Sequence, residues 1–218
     1  MSAQPEVPVT AATARYAAKK EAILTAATNI LNRQGVKGMT LADVAAEVGL
    51  ITTSVTYYYR RKEDLAAACF VRGIDIFNGL AVEAAAAPGA RARLARFLEL
   101  FFDLARRIRT REAAPIVAFS EMRALKEPLR GQVADAFNNL FRSVRGVFDD
   151  PEFSGLDRRE ATARTHLLLE QAFWTVTWLP RYDIEDYPRL RDRMFDILSG
   201  GLAAVSYTHL TLPTKRIV

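Results

Sequence analysis

The chain has 218 residues, half of them hydrophobic, and a formal net charge of +5, which is enough for one large or two small domains with a sizeable core. No run of about 18 consecutive apolar residues occurs, so the sequence predicts no membrane span. The single cysteine, Cys69, excludes an intramolecular disulfide and, with an N-terminus that lacks the apolar core of a secretory signal, favours a cytoplasmic location.

Residues 1–14 are rich in Ala, Thr and Pro and show no apolar periodicity, which predicts a flexible arm. A first helix is predicted from Tyr16 to Gln34, ended by Gly35. Its inner stripe, at helical spacing, consists of Ile23, Ala26, Ala27, Ile30 and Leu31.

The stretch from Thr40 to Leu65 predicts two short helices joined by a tight turn, followed by the start of another. Thr40 stands at an N-cap position, and Gly49 stands where a helix ends in the left-handed conformation. Ala45 is the small residue where the two helices cross. The apolar inner positions are Val44, Val48, Leu50 and Val55, with Tyr58 last. This spacing is typical of a helix-turn-helix.

The same spacing leaves hydroxyl and aromatic side chains on the outer face of the second helix, namely Thr52, Thr53, Ser54, Thr56 and Tyr57. These side chains suit hydrogen bonds to base edges and phosphates, and contacts with thymine methyl groups. An ordinary solvated face more often carries Glu and Lys. A helix of this size fits a DNA major groove; the alternative is a helical hairpin with no role in DNA binding.

Residues from about Lys19 to Cys69 resemble the DNA-binding domain of the TetR family of transcriptional regulators. The runs that match the family pattern, in order and without gaps, are T-L-A-D-V-A-A-E-V-G-L, S-V-T-Y-Y-Y and R-K-E-D-L. The resemblance implies that DNA is contacted by Thr40, Thr52, Thr53, Ser54, Thr56, Tyr57 and Lys62. Thr56 stands where many members carry a tyrosine that touches a phosphate, so this contact falls to Thr56, Tyr57 or Tyr59.

The charge distribution agrees with a polyanion partner at this end of the chain. Residues 15–65 contain eight Lys or Arg against five Asp or Glu, a surplus of three. The arm before them is interpreted as solvated rather than as lying in a minor groove. A fourth helix is predicted from Lys62 to Ala87. At the N-terminus of this helix Lys62 can hold a phosphate beside free backbone amides; the alternative is an ordinary solvated lysine.

Beyond Pro88 and Gly89, which end the fourth helix, apolar periodicity predicts four to five further helices. They include Arg91–Thr110, Ala113–Leu125, Pro128–Phe148 and Arg158–Leu179, with a loop at Asp149–Gly155 and a final helix capped by Asp186 with Pro188 in its first turn. The first of these carries two arginine clusters, and interleaved acids favour a solvated face over a second nucleic-acid patch.

The last two helices carry a second functional signal. The run LLLEQAFWTVTWL is apolar almost all the way round and needs cover on both sides. The final helix has one stripe formed by Leu190, Met194, Ile197, Leu198, Gly201 and Val205. Such helices fit a two-fold interface that makes a four-helix bundle with a second copy, as the resemblance also implies. The alternative is that they only close the core of one chain.

The predicted fold is therefore all-α. An N-terminal three-helix DNA-binding domain with the helix-turn-helix is expected over residues 15–65, and a larger helical effector-binding and dimerisation domain over residues 66–205. Residues 206–218 lack a helical stripe and are interpreted as a non-native tail left by cloning or sequencing.

No enzyme motif, metal site or cofactor is predicted. The two histidines, His166 and His209, and the single cysteine are too few for the usual zinc or copper ligand sets, and no G-x-S-x-G, H-E-x-x-H or C-x-x-C motif occurs. His166 and Glu170 lie four residues apart on one helix face. They favour a polar pair in the core or in a ligand cavity over a catalytic acid–base pair.

The sequence thus predicts a ligand-responsive transcriptional regulator, most often a repressor in this family, that binds a palindromic DNA operator as a homodimer. Its aromatic residues, which include Phe173 and Trp178, suggest an apolar small-molecule effector. The expected pocket is formed by Phe97, Phe101, Phe119, Phe137, Phe141, His166, Glu170 and Trp174. The alternative is a constitutive or protein-partnered regulator, because aromatic residues at helical spacing also fill ordinary cores. A cavity of roughly a few hundred Å³ distinguishes the two.

Overall fold

The computed structural model describes residues 11–146 and 157–203. Within these ranges the chain is helical and contains no strand, which confirms the predicted all-α class. The α-helices are α1 (Ala11–Gly38), α2 (Leu41–Glu47), α3 (Thr52–Tyr58), α4 (Lys62–Ala84), α5 (Ala90–Arg109), α6 (Leu129–Arg145), α7 (Arg158–Trp178) and α8 (Tyr187–Ala203). Short 3-10 helices lie at Phe119–Ala124, Leu179–Arg181 and Ile184–Asp186.

Helix α1 begins at Ala11, earlier than predicted, so the helix includes the last residues of the predicted arm. Residues 11–22 are exposed and therefore offer no apolar stripe, but their many alanines favour a helix by propensity alone. From Ile23 onward the predicted inner stripe is buried. Regular helix ends at Gly35, where φ is 68°, a left-handed value that glycine adopts without strain.

Helix α4 is the central helix of the molecule and packs against α1, α5 and α6. Among the described residues it is the one helix long and apolar enough to cross a membrane, by length and composition only. Its apolar residues, including Leu65, Phe70, Ile74 and Phe77, are buried in the core, which accounts for that composition. One hydrophobic core includes buried residues on both sides of residue 65, so it does not mark a boundary there. The domain boundary at residue 65 stays a prediction.

The predicted helix over Ala113–Leu125 is wrong in its first half. Residues 113–118 are not helical, and only Phe119–Ala124 forms a 3-10 helix. Pro115 has no amide hydrogen and disfavours helical backbone in the residue before it. Residues 113–118 therefore lead to the 3-10 helix without helical backbone and contact α1 and α4.

The remaining predicted helices are present with shifted ends. Those over Arg91–Thr110 and Arg158–Leu179 are confirmed to within one residue at each end, while the helix after Pro128 ends at Arg145. The predicted loop Asp149–Gly155, Val205 and the predicted tail 206–218 lie outside the described residues.

Helix α7 is covered on one side only within the single chain. Ala161, Leu168, Leu169 and Ala172 are buried, but Leu167 and Trp174 are 57% and 56% exposed, as is 67% of Ile197 on α8. Large apolar side chains therefore lie at the surface of the two helices that the sequence assigns to an interface.

Candidate nucleic-acid interface and ligand cleft

Helices α2 and α3 are held in a fixed relation by a cap, a turn and a small buried interface. Thr40 Oγ1 accepts a hydrogen bond from the Asp43 backbone N–H (3.1 Å) and donates one to Asp43 Oδ2 (2.6 Å), so this hydroxyl serves the α2 cap. Gly49 has a φ of 67°, and after it the Leu50 N–H donates to Ala45 O (2.8 Å). Val44, Ala45 and Val55 are buried between the helices.

The outer face of α3 carries the predicted hydroxyl and phenol groups. Thr52, Thr53 and Tyr57 are exposed, and Tyr57 is 76% exposed. Ser54 and Thr56 are half-buried, and Thr56 Oγ1 donates to Thr53 O (2.9 Å). The groups with the freest access to a ligand on this face are therefore those of Thr52, Thr53 and Tyr57.

Tyr59 is turned into the protein rather than out of it. Its side chain is 8% exposed, and its hydroxyl is buried with no hydrogen-bond partner among the described residues. Desolvation by burial raises the pKa of this phenol to about 12. Of the three candidates for the phosphate contact, Tyr59 is thus excluded and Thr56 and Tyr57 remain.

Arg61 and Lys62, at the start of α4, have different hydrogen-bond partners. Arg61 donates to both carboxylate oxygens of Asp64 (3.1 and 2.7 Å), and this hydrogen bonding lowers the pKa of the Asp64 carboxyl. Lys62 is half-buried and its Nζ donates to Lys37 O (2.9 Å). Since an ammonium has three donors, this bond leaves Lys62 able to contact an anion as well.

A cleft of about 560 Å³ lies between the Phe119–Ala124 turn, α6 and α7. Five of the eight predicted effector residues line it: Phe119, Phe137, His166, Glu170 and Trp174. Phe173, a member of the predicted aromatic set, also lines the cleft, as do four residues that the sequence reasoning missed: Ser120, Met122, Arg123 and Thr177. The Phe119 and Phe173 rings stack at 4.3 Å between centroids and form an aromatic surface for an apolar ligand.

The other three predicted effector residues do not line this cleft. Phe97 and Phe101 are buried in the core, where Phe101 stacks on Phe77 (5.8 Å). Phe141 lies against the His166 ring (4.6 Å). His166 and Glu170 are exposed, so they are polar groups at the opening of the cleft and not a pair within the core.

Residues 115–123, which comprise the non-helical stretch 115–118 and most of the following 3-10 helix, join the cleft to α1 and are called the wall segment below. Asn32 donates from Nδ2 to Ile116 O (2.9 Å) and accepts at Oδ1 from the Ala118 N–H (2.8 Å). Glu121 Oε2 accepts from the Val36 N–H (3.4 Å). The wall segment therefore touches the cleft through Phe119 and is hydrogen-bonded to the helix that supports α2 and α3.

The wall segment also contacts α4. Arg72 Nη1 donates to Pro115 O (3.0 Å). Gly73 faces Phe119, since a Cβ built on it would lie 3.0 Å from the end of that ring. A side chain at position 73 would displace the ring that forms one wall of the cleft.

Comparison with known families gives a match at the helix-turn-helix. Residues 23–69 match the model of the family described as bacterial regulatory proteins, tetR family. The helix-turn-helix region is therefore a TetR-family DNA-binding domain, which makes the chain a DNA-binding regulator. The match covers α1 from Ile23, α2, α3 and the start of α4.

Several solved structures, including one of a tetR-family regulator, resemble this chain over most of its length. A regulator from Rhodococcus RHA1 has a TM-score of 0.68 at 17% identity, covering 85% of this chain and 97% of that chain. AibR, solved in complex with isovaleryl coenzyme A and operator DNA, has a TM-score of 0.67 at 18% identity, with coverage of 82% and 97%. FadR from Bacillus subtilis, solved with stearoyl-CoA, has a TM-score of 0.63 at 18% identity, with coverage of 83% and 98%. These identities establish the fold alone. A comparison with curated proteins gives no match.

Two residues near α3 were missed by the sequence reasoning. The Tyr16 ring lies 4.9 Å from that of Tyr58 and 6.5 Å from that of Tyr57. Lys19, one turn later, lines a notch of about 340 Å³ with Thr53 and Tyr57. The sequence does contain a signal for Tyr16. It precedes Ile23 and Ile30 at intervals of seven residues, which is nearly two helical turns, so it lies on the same face of α1 as these two residues.

Proposed function

We propose that this TetR-family protein is a ligand-responsive repressor that binds a palindromic operator as a homodimer. The observation that carries the proposal is the outer face of α3, where exposed Thr52, Thr53 and Tyr57 project from a buried frame. Hydroxyl and phenol groups on a helix of this size suit the major groove. Ser54, Thr56, Thr40 and Lys62 belong to the same surface and serve the DNA backbone.

The homodimer forms through α7 and α8. The exposed Leu167 and Trp174 on α7 and Ile197 on α8 support this, because large exposed apolar side chains mark interaction sites. Two-fold symmetry then sets two copies of α3 about 34 Å apart, one turn of DNA. With this assignment, residues 15–65 form the DNA-binding domain and residues 66–205 form the effector-binding and dimerisation domain.

The effector binds in the cleft between the wall segment, α6 and α7. Its aromatic lining supports an apolar ligand, as do the acyl-CoA complexes of AibR and FadR. A ligand against Phe119 displaces the wall segment and with it the contacts to α1 and α4. To release DNA, it binds the DNA-incompetent state better, by roughly 1–3 kcal/mol.

The test begins with duplexes selected by the full-length protein from a random-sequence pool. Thr53→Ala and Tyr57→Ala are each expected to weaken binding to the selected duplex by roughly 1–3 kcal/mol, measured by fluorescence anisotropy. Tyr182→Ala, which removes an exposed tyrosine of the body, is the matched control and leaves the affinity unchanged. Unchanged affinity in both α3 variants rejects α3 as the recognition helix.

The repressor assignment is tested separately with a reporter promoter that overlaps the selected sequence. Expression of the protein is expected to lower transcription from this promoter, and Tyr57→Ala is expected to restore it. A promoter that the protein activates would reverse the assigned sign of regulation without affecting the DNA-binding assignment.

A further inference from the structure

A second cavity, separate from the cleft, lies at the opposite side of the aromatic core. It measures about 280 Å³ and is bounded by α5, α7, the start of α8 and the wall segment. Its lining is Phe101, Leu104, Ala105, Ile108, Arg109, Ile116, Val176, Leu179, Pro180 and Tyr187. A row of rings separates it from the cleft, since Phe77 contacts both Phe101 (5.8 Å) and Phe173 (5.0 Å).

The side chains that line this cavity are almost all hydrocarbon, which favours an apolar ligand. Apart from Arg109 and the Tyr187 hydroxyl, every lining side chain is a hydrocarbon, so water would find few partners there. An apolar cavity of about 150 Å³ is enough to bind benzene. At a similar volume per carbon, 280 Å³ holds an aliphatic chain of about ten carbons.

Arg109 supplies a fixed positive charge beside this apolar space. Its Nη1 donates to Pro180 O (2.7 Å) and Tyr182 O (2.6 Å), and these two bonds hold the guanidinium at the end of α7. Neither bond uses Nε or Nη2. That remaining edge has the geometry that pairs with a carboxylate through two parallel hydrogen bonds.

We propose that this cavity binds a medium-chain aliphatic carboxylate, with the chain among Leu104, Ile108 and Val176 and the carboxylate on Arg109. The site is distinct from the cleft assigned to the effector and does not depend on that assignment. Its wall includes Ile116, whose carbonyl accepts from Asn32 of α1 (2.9 Å). An occupant therefore touches the same wall segment as a ligand in the cleft.

Calorimetric titration of the full-length protein with hexanoate, octanoate and decanoate tests the chain-length argument. Affinity is expected to rise about fourfold per methylene while the chain still enters the cavity, and to level off beyond decanoate. Absence of saturable binding by all three, or an unbroken rise through tetradecanoate, overturns the proposed cavity.

Substitutions locate the site. Ala105→Phe and, independently, Val176→Phe fill the cavity and are expected to abolish decanoate binding, with folding checked by circular dichroism and by retained DNA binding. Thr177→Trp fills the cleft instead and leaves decanoate affinity unchanged. Loss of binding in Thr177→Trp with retention in both filled variants would assign decanoate to the cleft and reject the proposal.

The head group is tested with Arg109→Gln and with decanol. Decanoate is expected to bind about tenfold more weakly to Arg109→Gln, whereas decanol binds both proteins equally. Equal loss of decanoate and decanol in Arg109→Gln, or no loss of either, contradicts a carboxylate-binding role for Arg109. Because DNA affinity is measured separately, failure here leaves the DNA-binding proposal standing.

Discussion

Three consecutive tyrosines at the end of α3 have three different environments. Tyr57 is exposed, Tyr58 is half-buried between its neighbours, and Tyr59 is buried. Tyr59 follows α3 with extended backbone, at a φ of −140°, and this change of direction turns its ring inward. This change in backbone direction separates the exposed phenol of Tyr57 from the buried phenol of Tyr59 two residues later.

Burial of the Tyr59 hydroxyl makes the stability of the fold depend on alkaline pH. Its pKa in the folded protein is about 12, above the ordinary 10.0, so over that interval the unfolded chain loses the proton while the folded chain keeps it. Stability therefore falls from about pH 10 upward. Tyr59→Phe is expected to remove roughly 1–2 kcal/mol of this fall.

The measurement is urea unfolding of wild type and Tyr59→Phe at about pH 8 and about pH 11. Both proteins carry Cys69→Ala, because burial raises the pKa of the Cys69 thiol to about 11 and the charge of Cys69 acts on Tyr59. Near neutrality the variant is expected to be as stable as wild type or more stable, because the buried hydroxyl has no partner among the described residues. Parallel losses in the two proteins would contradict the assignment.

Lys19 and Lys20 are adjacent but lie on different sides of α1. Lys19 lines the notch beside Thr53 and Tyr57, whereas Lys20 lines a groove with Tyr59 and Arg72. Lys19→Ala is expected to weaken binding to every duplex and to reduce the slope of log affinity against log salt by about one. Lys20→Ala is the matched control and is expected to keep the wild-type slope, measured by anisotropy titrations over a salt series.

Lys62→Ala is expected to reduce the same slope by about one if Lys62 contacts a phosphate. It also removes the bond to Lys37 O, so its thermal stability is measured alongside. A stability loss with an unaltered slope would mean that Lys62 only joins α4 to the end of α1.

At the scale of elements, the sequence predicts well wherever one local pattern decides the structure. Thr40, Gly49 and the buried Val44, Ala45 and Val55 follow from capping, turn geometry and helical spacing. The start of α1 was placed too late because its first turns are exposed and carry no apolar stripe. Residues 113–125 are predicted to be helical, but Pro115 keeps their first half non-helical.

The contacts of the wall segment could not be read from the sequence. Asn32 bonds to residues 84 and 86 positions away, and no local pattern announces such a pairing. The same holds for the effector set, since Phe101 and Phe119 have similar aromatic character but only the fold decides which one faces the cleft. Phe173, which the sequence includes in the aromatic set but not in the expected pocket, lines the cleft because α7 turns that side of the helix toward the wall segment.

The wall segment joins the cleft to α1, which supports α2 and α3, and this connection leads to a prediction that needs no ligand. If the wall segment transmits changes at Phe119 to α1 through Asn32, then Phe119→Ala and Asn32→Ala are coupled in their effects on DNA affinity. A double-mutant cycle is expected to give a coupling energy of about 0.5–2 kcal/mol, measured as affinity for the selected duplex.

Asn29→Ala is the matched control for this cycle. Asn29 lies one turn earlier on α1 and donates to Glu47 Oε1 (3.3 Å) within the DNA-binding unit, so its cycle with Phe119→Ala is expected to be additive within about 0.5 kcal/mol. An additive cycle for Asn32 would place the transmission elsewhere, with the Arg72 and Gly73 contacts of α4 as the next route to test.

At the scale of the whole molecule, one side of α7 serves two proposed purposes. Trp174 lines the opening of the cleft and is also among the exposed apolar residues of the last two helices. A second copy that covers α7 would therefore cover part of the cleft opening. Ligand binding and dimer formation are then expected to influence each other through this side chain.

The dimer itself is tested by placing a charge on the exposed apolar surface of α7 or α8. Leu167→Glu and Ile197→Glu are each expected to weaken the dimer by about 2 kcal/mol or more, because a buried charge at an interface lacks a partner. Val82→Glu is the matched control, since Val82 is 61% exposed but lies on α4. Sedimentation velocity measures the association state, and anisotropy measures binding to a duplex with one or two half-sites. The two interface variants are expected to lose the preference for two half-sites while Val82→Glu keeps it; dissociation by Val82→Glu alone would move the interface to α4.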